Sequence, residues 1–307
     1  MNNTELMDLL HSPRPKEMRA APFIDGLRAD NIAGQTDLFA RLAISASYAG
    51  SQTNATIAGH QVAVRRLFGN TPADAVTAFC VSEARGPHPR YIETRLLHTD
   101  QGPVITGQKM WGTMAPAADV LYIAASIGQE EGQNQLRMVA VNTNQSTIEQ
   151  IPLPPERQAG DVPICDLNFQ ATAVREVLAE DAYSHYIKPF RLIEDVFSTV
   201  AMQIVLYRAG DQTRLTQTAR EDLLALIIQG KAVAESDMAS PGAILILTSY
   251  LRSSQRQWQE FGKNPSSDLA EYWHFDRPIL KVAERARAQR RANAWADLGE
   301  PLADVHN

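Results

Sequence analysis

The chain has 307 residues, 44% of them hydrophobic, with 35 acidic and 29 basic side chains and a formal net charge of −6. This length and composition predict a globular protein with a substantial core, in one large or two medium domains. The acidic balance argues against nucleic acid or an anionic membrane as the principal partner. No signal peptide or bilayer-spanning apolar stretch is evident, so we expect a cytoplasmic protein with no membrane partner.

The first third of the chain is predicted to be helical, with Ala-rich apolar positions in residues 37–50 and 53–68. Short β-rich segments separated by Gly, Pro, Asn and Asp follow from Val76 to Leu178. Residues 191–208 carry apolar side chains at helical spacing, and further helices are expected over 219–239, 242–261 and 276–298. This order predicts an α+β protein with an N-terminal helical region (1–74), a small antiparallel β domain (75–181) and a C-terminal helical domain (182–307).

Only two cysteines occur, Cys80 and Cys165, both within predicted strands. Such sparse cysteine usage suits a reducing compartment. No histidine stands at ligand spacing from either cysteine, so we expect structural thiols and no metal site. His88 and His98 are candidate acid–base groups, but without a partner in the sequence each is interpreted as a surface or strand-end residue.

The segment Gly107-Gln108-Lys109-Met110-Trp111-Gly112-Thr113 is the most informative in the chain. A strand places residues i and i+2 on one face, so Trp111 and Thr113 can reach one planar ligand, by stacking and by hydrogen bonding respectively. Trp-x-Thr in a strand is also common in ordinary β packing, and both interpretations stay open on spacing alone.

This segment, followed by Ala118-Asp119 and a hydrophobic strand, resembles the flavin-contacting strand of the acyl-CoA dehydrogenase family. The resemblance implies a shortened, divergent member with an acyl-CoA dehydrogenase-like fold, in which FAD lies against Trp111 and Thr113. Lys109 is then expected to be a solvated strand residue. Met114-Ala115 departs from the usual Asn-Gly turn of the family.

A second match lies at Ser82-Glu83-Ala84-Arg85-Gly86-Pro87, where the family has a Thr-Glu-Pro-x-x-Gly-Ser-Asp motif. Ser82 and Glu83 can be carried over, and Ser82 is expected to add a polar contact to the cofactor. The Gly-Ser-Asp ending is absent. Gly86-Pro87 replaces a hydroxyl-bearing, amide-donating turn, and Pro87 has no N–H to offer for the contact to phosphate or ring that the family pattern implies.

A third match, Leu192-Ile193-Glu194-Asp195-Val196, resembles the opening of the first helix of the C-terminal domain in that family. The Tyr-Glu-Gly type motif that usually carries the catalytic carboxylate is missing after Trp273. The resemblance therefore offers Glu194 as the base that removes a proton α to an acyl thioester. The alternative is an acid in the first turn of a helix, where it interacts favourably with the macrodipole.

Three functions follow from the resemblance. The first is a FAD-dependent oxidoreductase that oxidises an acyl-CoA or related thioester at the α and β carbons, with hydride transfer to the flavin and an unidentified electron acceptor. The second is a flavin-dependent monooxygenase of the same fold. The third is a flavin-free relative that acts as a binding or assembly subunit, favoured by the altered Gly86-Pro87 turn. The resemblance also implies a homo-oligomer, or assembly with a full-length relative.

The last predicted helix is locally basic, with Arg277, Lys281, Arg285, Arg287, Arg290 and Arg291. These cations could bind a CoA phosphate or nucleic acid. Glu284 interrupts the series and apolar residues form a stripe along the same helix, so a solvated helix packed by one face is the preferred interpretation.

Overall fold

The computed structural model describes residues 1–13, 19–154, 157–158, 160–213, 215–238, 240–261 and 284–300. The chain folds into two compact units. We call residues 1–16, 42–59 and 192–307 the helical unit, and residues 17–41 and 60–191 the sheet unit.

The helices lie before and after the strands, as the sequence predicted. Within the described ranges, five precede them: α1 (Asn3–His11), α2 (Ala20–Gly26), α3 (Asp30–Ala33), α4 (Leu38–Tyr48) and α5 (Gln52–Leu67). Four described helices follow: α6 (Lys188–Thr213), α7 (Gln217–Glu235), α8 (Pro241–Phe261) and α9 (Glu284–Asp297). A short π-helix, Tyr183–Ile187, leads directly into α6.

Eight strands among the described residues form one sheet in the sheet unit. They are β1 (Thr77–Cys80), β2 (Arg95–Thr99), β3 (Gly102–Thr113), β4 (Val120–Glu130), β5 (Gln133–Asn142), β6 (Ile148–Pro152), β7 (Ile164–Ala173) and β8 (Glu176–Asp181). Their order is β6-β7-β3-β2-β4-β5-β8, and β1 pairs with β4.

The predicted α+β class is confirmed, but the sheet is mixed and not purely antiparallel. β1 runs parallel to β4 over Thr77–Cys80, and β2 is parallel to β4 at Arg95 and Ser126. The other pairings, such as β3 with β7 and β4 with β5, are antiparallel. β1 and β4 are linked by a long crossover rather than a hairpin, and such a connection allows parallel pairing.

An aromatic stack lies in the core of the sheet unit. The Phe68 ring is parallel to that of Tyr122 at a centroid distance of 3.7 Å, and nearly parallel to that of Tyr186 at 5.0 Å. Buried aliphatic side chains of β4 and β5, including Leu136 and Met138, belong to the same cluster. Burying these side chains provides most of the favourable free energy that holds helix and sheet together.

Buried arginines hold the loop that leads into β1. Arg65 of α5 donates to the carbonyl oxygens of Pro72, at 2.8 Å, and of Ala75. Arg41 donates to the Ala73 carbonyl at 2.6 Å. Burial, and then the neighbouring Arg41 charge, lower the pKa of Arg65 to about 10. Arg65 is therefore still charged at neutral pH, and its hydrogen bonds to carbonyls offset part of the cost of burial.

The core of the helical unit contains a closed polar network between α6 and α8. Tyr250 Oη donates to Gln203 Oε1 at 2.7 Å, Gln203 Nε2 donates to Ser254 Oγ at 2.7 Å, and Ser254 Oγ donates to the Tyr250 carbonyl at 2.9 Å. Gly230 of α7 lies against this network, because a Cβ there would clash with Val200 Cγ2 and would be 2.6 Å from Tyr250 Oη. Glycine is what allows α7 to approach this closely.

Candidate functional site

Trp111 lies on a β-bulge in β3. The β3–β7 register shifts between Lys109 and Gly112, and Trp111 adopts φ = 60°. Its backbone N–H donates to Asp166 Oδ1 of β7 at 2.9 Å, in place of a ladder hydrogen bond. An aromatic residue in the left-handed region costs on the order of 1–3 kcal/mol and persists only where the surrounding structure enforces it. The bulge is therefore a strained position that Asp166 stabilises.

The indole of Trp111 is 47% exposed, although it is one of the largest apolar side chains in the protein. Arg157 Cζ lies 4.1 Å from the indole centroid, in cation–π geometry. The same guanidinium is 3.4 Å from Asp166 Oδ2. Asp166 thus holds both the backbone of Trp111 and the cation that covers one face of its ring.

Thr113 is half-buried and lies two residues along β3. Between them, Gly112 points inward, since a Cβ there would be 3.0 Å from Ala115 Cβ and 3.1 Å from the Cys165 carbonyl oxygen. Exposure therefore alternates from Trp111 to Thr113 even though the bulge interrupts regular extended geometry. That both side chains are accessible to one ligand stays a prediction. Its premise, a regular strand from Trp111 to Thr113, was wrong because of the bulge.

Met114, the next residue, adopts φ = 67° and is fully buried, and its N–H donates to the Pro163 carbonyl at 2.7 Å. Asn and Gly tolerate this conformation better than Met does. Met114-Ala115, which stands where the family has Asn-Gly, therefore keeps the left-handed backbone at Met114 but raises its conformational energy. Two strained residues flank Thr113.

Ser82 follows β1 and runs beside β3, where its carbonyl accepts a hydrogen bond from the Met110 N–H at 2.8 Å. Ser82 is thus hydrogen-bonded through its backbone to β3, the strand that also carries Trp111 and Thr113. Their proposed contacts to a cofactor are untested predictions.

The sequence prediction for Lys109 was wrong. It was expected to be solvated, but it is fully buried, and its Nζ is 2.6 Å from Glu83 Oε1 and 3.3 Å from the Val81 carbonyl oxygen. The Glu83 carboxylate also accepts the backbone N–H groups of Glu93 at 2.7 Å and Thr94 at 3.1 Å. Alternation along a strand cannot reveal such a partner, because Glu83 is distant in sequence.

This ion pair joins three segments of the sheet unit, which contain Glu83, Thr94 and Lys109. Burial alone would raise the pKa of Glu83, but the charge of Lys109 and the hydrogen bonds from Lys109, Glu93 and Thr94 hold it below its ordinary value. Burial lowers the pKa of Lys109, opposed by Glu83. The pair fixes the segment that begins with Ser82 against β3 at Lys109, one residue from the bulge.

Both cysteines lie on strands, are buried and are free thiols. Burial raises the pKa of Cys80 to about 12 and that of Cys165 to about 11. Neither is a thiolate near neutral pH, which agrees with the predicted structural role. Across the described ranges, no group of three His, Cys, Asp or Glu side chains is arranged to hold a metal ion.

Glu194 lies in the helical unit and is half-buried. It was expected near the opening of a helix, but α6 begins at Lys188 and follows the π-helix directly, so Glu194 is well beyond the first turn. The macrodipole falls off within the first turn, and it therefore does not account for this acid. The role of Glu194 as a base stays a prediction.

Asp195, the neighbour of Glu194, is paired with α9. Arg287 donates to both carboxylate oxygens, through Nε at 3.0 Å and Nη2 at 2.9 Å, and Arg290 Nη2 lies at 3.9 Å. The pairing contributes to the predicted packing of the last helix by one face. Arg277 and Lys281, from the same basic series, lie outside the described residues.

His88 and His98, the two histidines named from the sequence, lie at a helix cap and on a strand. His88 caps the short 3-10 helix Pro89–Tyr91, where its Nδ1 accepts the Arg90 N–H at 3.3 Å. His98 is exposed on β2. Sequence reasoning missed Arg157 and Asp166, for which no local pattern exists, because their relation to Trp111 depends on the β3–β7 register.

Solved structures share this fold. Butyryl-CoA dehydrogenase from Megasphaera elsdenii is 13% identical, with 96% of this chain and 99% of that chain covered and a TM-score of 0.69. A FAD-dependent dehydrogenase is 12% identical, with coverage of 97% and 99% and a TM-score of 0.67. An acyl-CoA dehydrogenase from Geobacillus kaustophilus is 14% identical, with coverage of 95% and 92% and a TM-score of 0.62.

The chain has an acyl-CoA dehydrogenase-like fold, which confirms the architecture implied by the resemblance. Protein-family models and curated protein sequences give no match. No helix within the described ranges is long and apolar enough to span a bilayer.

Proposed function

We propose that this chain is a flavin-dependent oxidoreductase that oxidises an acyl thioester such as an acyl-CoA. The observation that carries the proposal is Trp111. An indole that is 47% exposed is held on a strained bulge by Asp166, two residues before the half-buried Thr113. Strain of this kind clusters at functional sites, and an exposed ring held in place is suited to a planar ligand.

The residues present fit a flavin. Trp111 would stack on the ring system, Thr113 would hydrogen-bond to its polar edge, and Ser82 would add a second polar contact. FAD, when bound, supplies the redox chemistry, and the protein supplies orientation and exclusion of water. Glu194 would take the proton from the carbon α to the thioester carbonyl.

The Arg157–Trp111 stack favours a second candidate, a flavin-free relative that acts as a binding or assembly subunit. The guanidinium occupies an indole face that a cofactor could otherwise use. This candidate predicts a colourless protein, whereas the first predicts flavin absorbance and uptake of FAD on titration.

The test compares two variants that each remove an apolar side chain 47% exposed on the sheet unit, Trp111→Ala and Leu97→Ala. We expect Trp111→Ala to lose FAD on gel filtration while Leu97→Ala retains it, with unchanged circular dichroism in both. Wild-type protein that neither purifies with FAD nor takes it up would eliminate the oxidoreductase.

Catalysis is tested separately with Glu194→Gln, which preserves shape but cannot accept a proton. Anaerobic stopped-flow bleaching of bound flavin by an acyl-CoA should slow by about 10²–10⁴-fold, the contribution of a positioned general base. FAD content should be unchanged. Equal rates would remove Glu194 from the mechanism, and a flavin-loaded wild type that no acyl-CoA reduces would favour the monooxygenase.

We further propose that the chain forms a homo-oligomer, by analogy with the fold. Sedimentation equilibrium in the micromolar range should give a mass that is a multiple of 33.9 kDa. A monomer throughout that range would reject the proposal.

A further inference from the structure

A cluster of cations surrounds Tyr91 on the segment that begins at Ser82. Arg85 Cζ lies 4.3 Å from the Tyr91 ring centroid and Arg90 Cζ lies 4.6 Å from it. Arg90 Nη2 also donates to Tyr91 Oη at 2.6 Å, and the His88 ring is 5.7 Å from that of Tyr91. We call Arg85, His88, Arg90 and Tyr91 the Tyr91 cluster.

The two guanidiniums contact one aromatic ring, and no carboxylate among the described residues forms an ion pair with either of them. Both Cζ atoms lie within 4.6 Å of the same ring centroid. Both side chains are exposed, and in the described part of the chain neither forms an ion pair with a carboxylate. In a chain of net charge −6, two arginines held by an aromatic ring instead of an acid make a local positive site.

The segment that carries the cluster is anchored at both ends and in the middle. The Glu83 carboxylate accepts the N–H groups of Glu93 and Thr94, and it is itself paired with buried Lys109. Asn134 Nδ2 donates to the carbonyl oxygens of Pro89 at 3.0 Å and Ile92 at 2.8 Å. A site whose backbone is already fixed loses little conformational entropy when a ligand binds.

We propose that the Tyr91 cluster binds a phosphate group of a nucleotide ligand. Guanidinium groups present planar pairs of N–H donors that match phosphate oxygens. Arg90 uses one donor nitrogen, Nη2, on Tyr91 Oη, and the remaining N–H groups of the two stacked guanidiniums are the donors proposed for the phosphate. The segment that carries the cluster begins next to the strand that carries Trp111, because the Ser82 carbonyl accepts a hydrogen bond from the Met110 N–H of β3.

The identity of the ligand rests on the proposed function, but the phosphate chemistry does not. The phosphate could come from the diphosphate of FAD or from coenzyme A. Riboflavin, which has the ring system and no phosphate, separates stacking at Trp111 from binding at the cluster. Pyrophosphate and coenzyme A separately probe the phosphate site without a flavin ring.

The test uses Arg85→Gln/Arg90→Gln and the control Arg66→Gln/Arg95→Gln, which removes two exposed charges elsewhere in the same unit. Calorimetric titrations of wild type and both variants use FAD, riboflavin, coenzyme A and pyrophosphate. We expect the Arg85/Arg90 variant to bind pyrophosphate and one of the two nucleotides roughly 10- to 100-fold more weakly, as for lost charge-assisted hydrogen bonds. Its riboflavin affinity, and all affinities of the control, should be unchanged.

The outcomes distinguish the two proposals. Loss of affinity confined to FAD or to coenzyme A identifies the source of the phosphate. Arg85/Arg90-dependent binding of pyrophosphate or coenzyme A, without binding of FAD or riboflavin, supports the phosphate site and rejects the flavin. FAD binding that is equal in wild type and the Arg85/Arg90 variant, with no binding of pyrophosphate or coenzyme A, overturns the phosphate site alone. Equal losses of affinity in the Arg85/Arg90 and Arg66/Arg95 variants would show that only net charge matters, and they would also overturn the phosphate site.

Discussion

Replacing Lys109 by Met is the perturbation with the largest expected effect on the sheet unit. The substitution keeps an unbranched apolar stem and removes the ammonium group, which leaves the Glu83 carboxylate, 9% exposed, with only two backbone N–H partners. Removing one member of a buried ion pair costs about 3–5 kcal/mol. At roughly 2–4 °C per kcal/mol for a domain of this size, we expect Tm to fall by about 6–20 °C.

The assay is thermal and urea unfolding followed by circular dichroism, with Lys188→Met as the matched control. Lys188 is exposed and belongs to the same unit, so its replacement should change the free energy of unfolding by less than about 0.5 kcal/mol. The double variant Glu83→Gln/Lys109→Met leaves no buried charge and should be more stable than Lys109→Met alone. If Lys109→Met unfolds like Lys188→Met, the ion pair does not hold this segment.

The pH dependence gives an independent check. In the wild type the pKa of Glu83 is held below 4.5, so its stabilising contribution is present above that value and is lost as pH falls through the folded-state pKa. In Lys109→Met the effect of burial dominates and raises the pKa of Glu83, so protonation on acidification relieves a buried charge. The difference in unfolding free energy between the two proteins should therefore shrink as pH falls from about 7 toward about 4. A constant difference would contradict this electrostatic account.

Three further predictions concern packing and reactivity. Gly230→Ala should destabilise the helical unit by about 2 kcal/mol in urea unfolding, because overpacking against Val200 and Tyr250 outweighs the gain in helix propensity of roughly 1 kcal/mol. The control Gly242→Ala has open space at its Cβ, so it should show only the stabilisation that comes from helix propensity. Arg287→Met should lower the free energy of unfolding by about 2 kcal/mol, because Asp195 stays buried without its bidentate partner. Arg285→Met, which removes an exposed charge on the same helix, should change it little. Equal Tm values for the two variants would contradict this pairing. Cys80 and Cys165 should react with a thiol reagent at about pH 8 only after unfolding, because burial keeps both as thiols; rapid labelling of the native protein would count against their burial.

The sequence by itself determined the elements and their order. Apolar spacing identified α4, α5 and α6, and alternating β-rich segments bounded by Gly, Pro and Asn identified the strands, because both signals depend on neighbours within a turn or a strand. The Trp111 and Thr113 motif was also readable, since residue type and spacing carry it. Glu194 was correctly placed on a helix, but its position relative to the first turn was wrong, because helix ends depend on capping contacts and here a π-helix extends the segment.

Only the tertiary structure decided what surrounds these residues. The parallel pairing of β1 with β4 brings Val81 and Glu83 beside β3, which converts Lys109 from an expected surface residue into a buried ion pair. The β3–β7 register places Asp166 and Arg157 at Trp111, and the anchored segment gathers Arg85 and Arg90 around Tyr91. Local propensities act over a few residues, whereas these contacts join residues up to 55 positions apart, so pairing and packing of the whole sheet determine them.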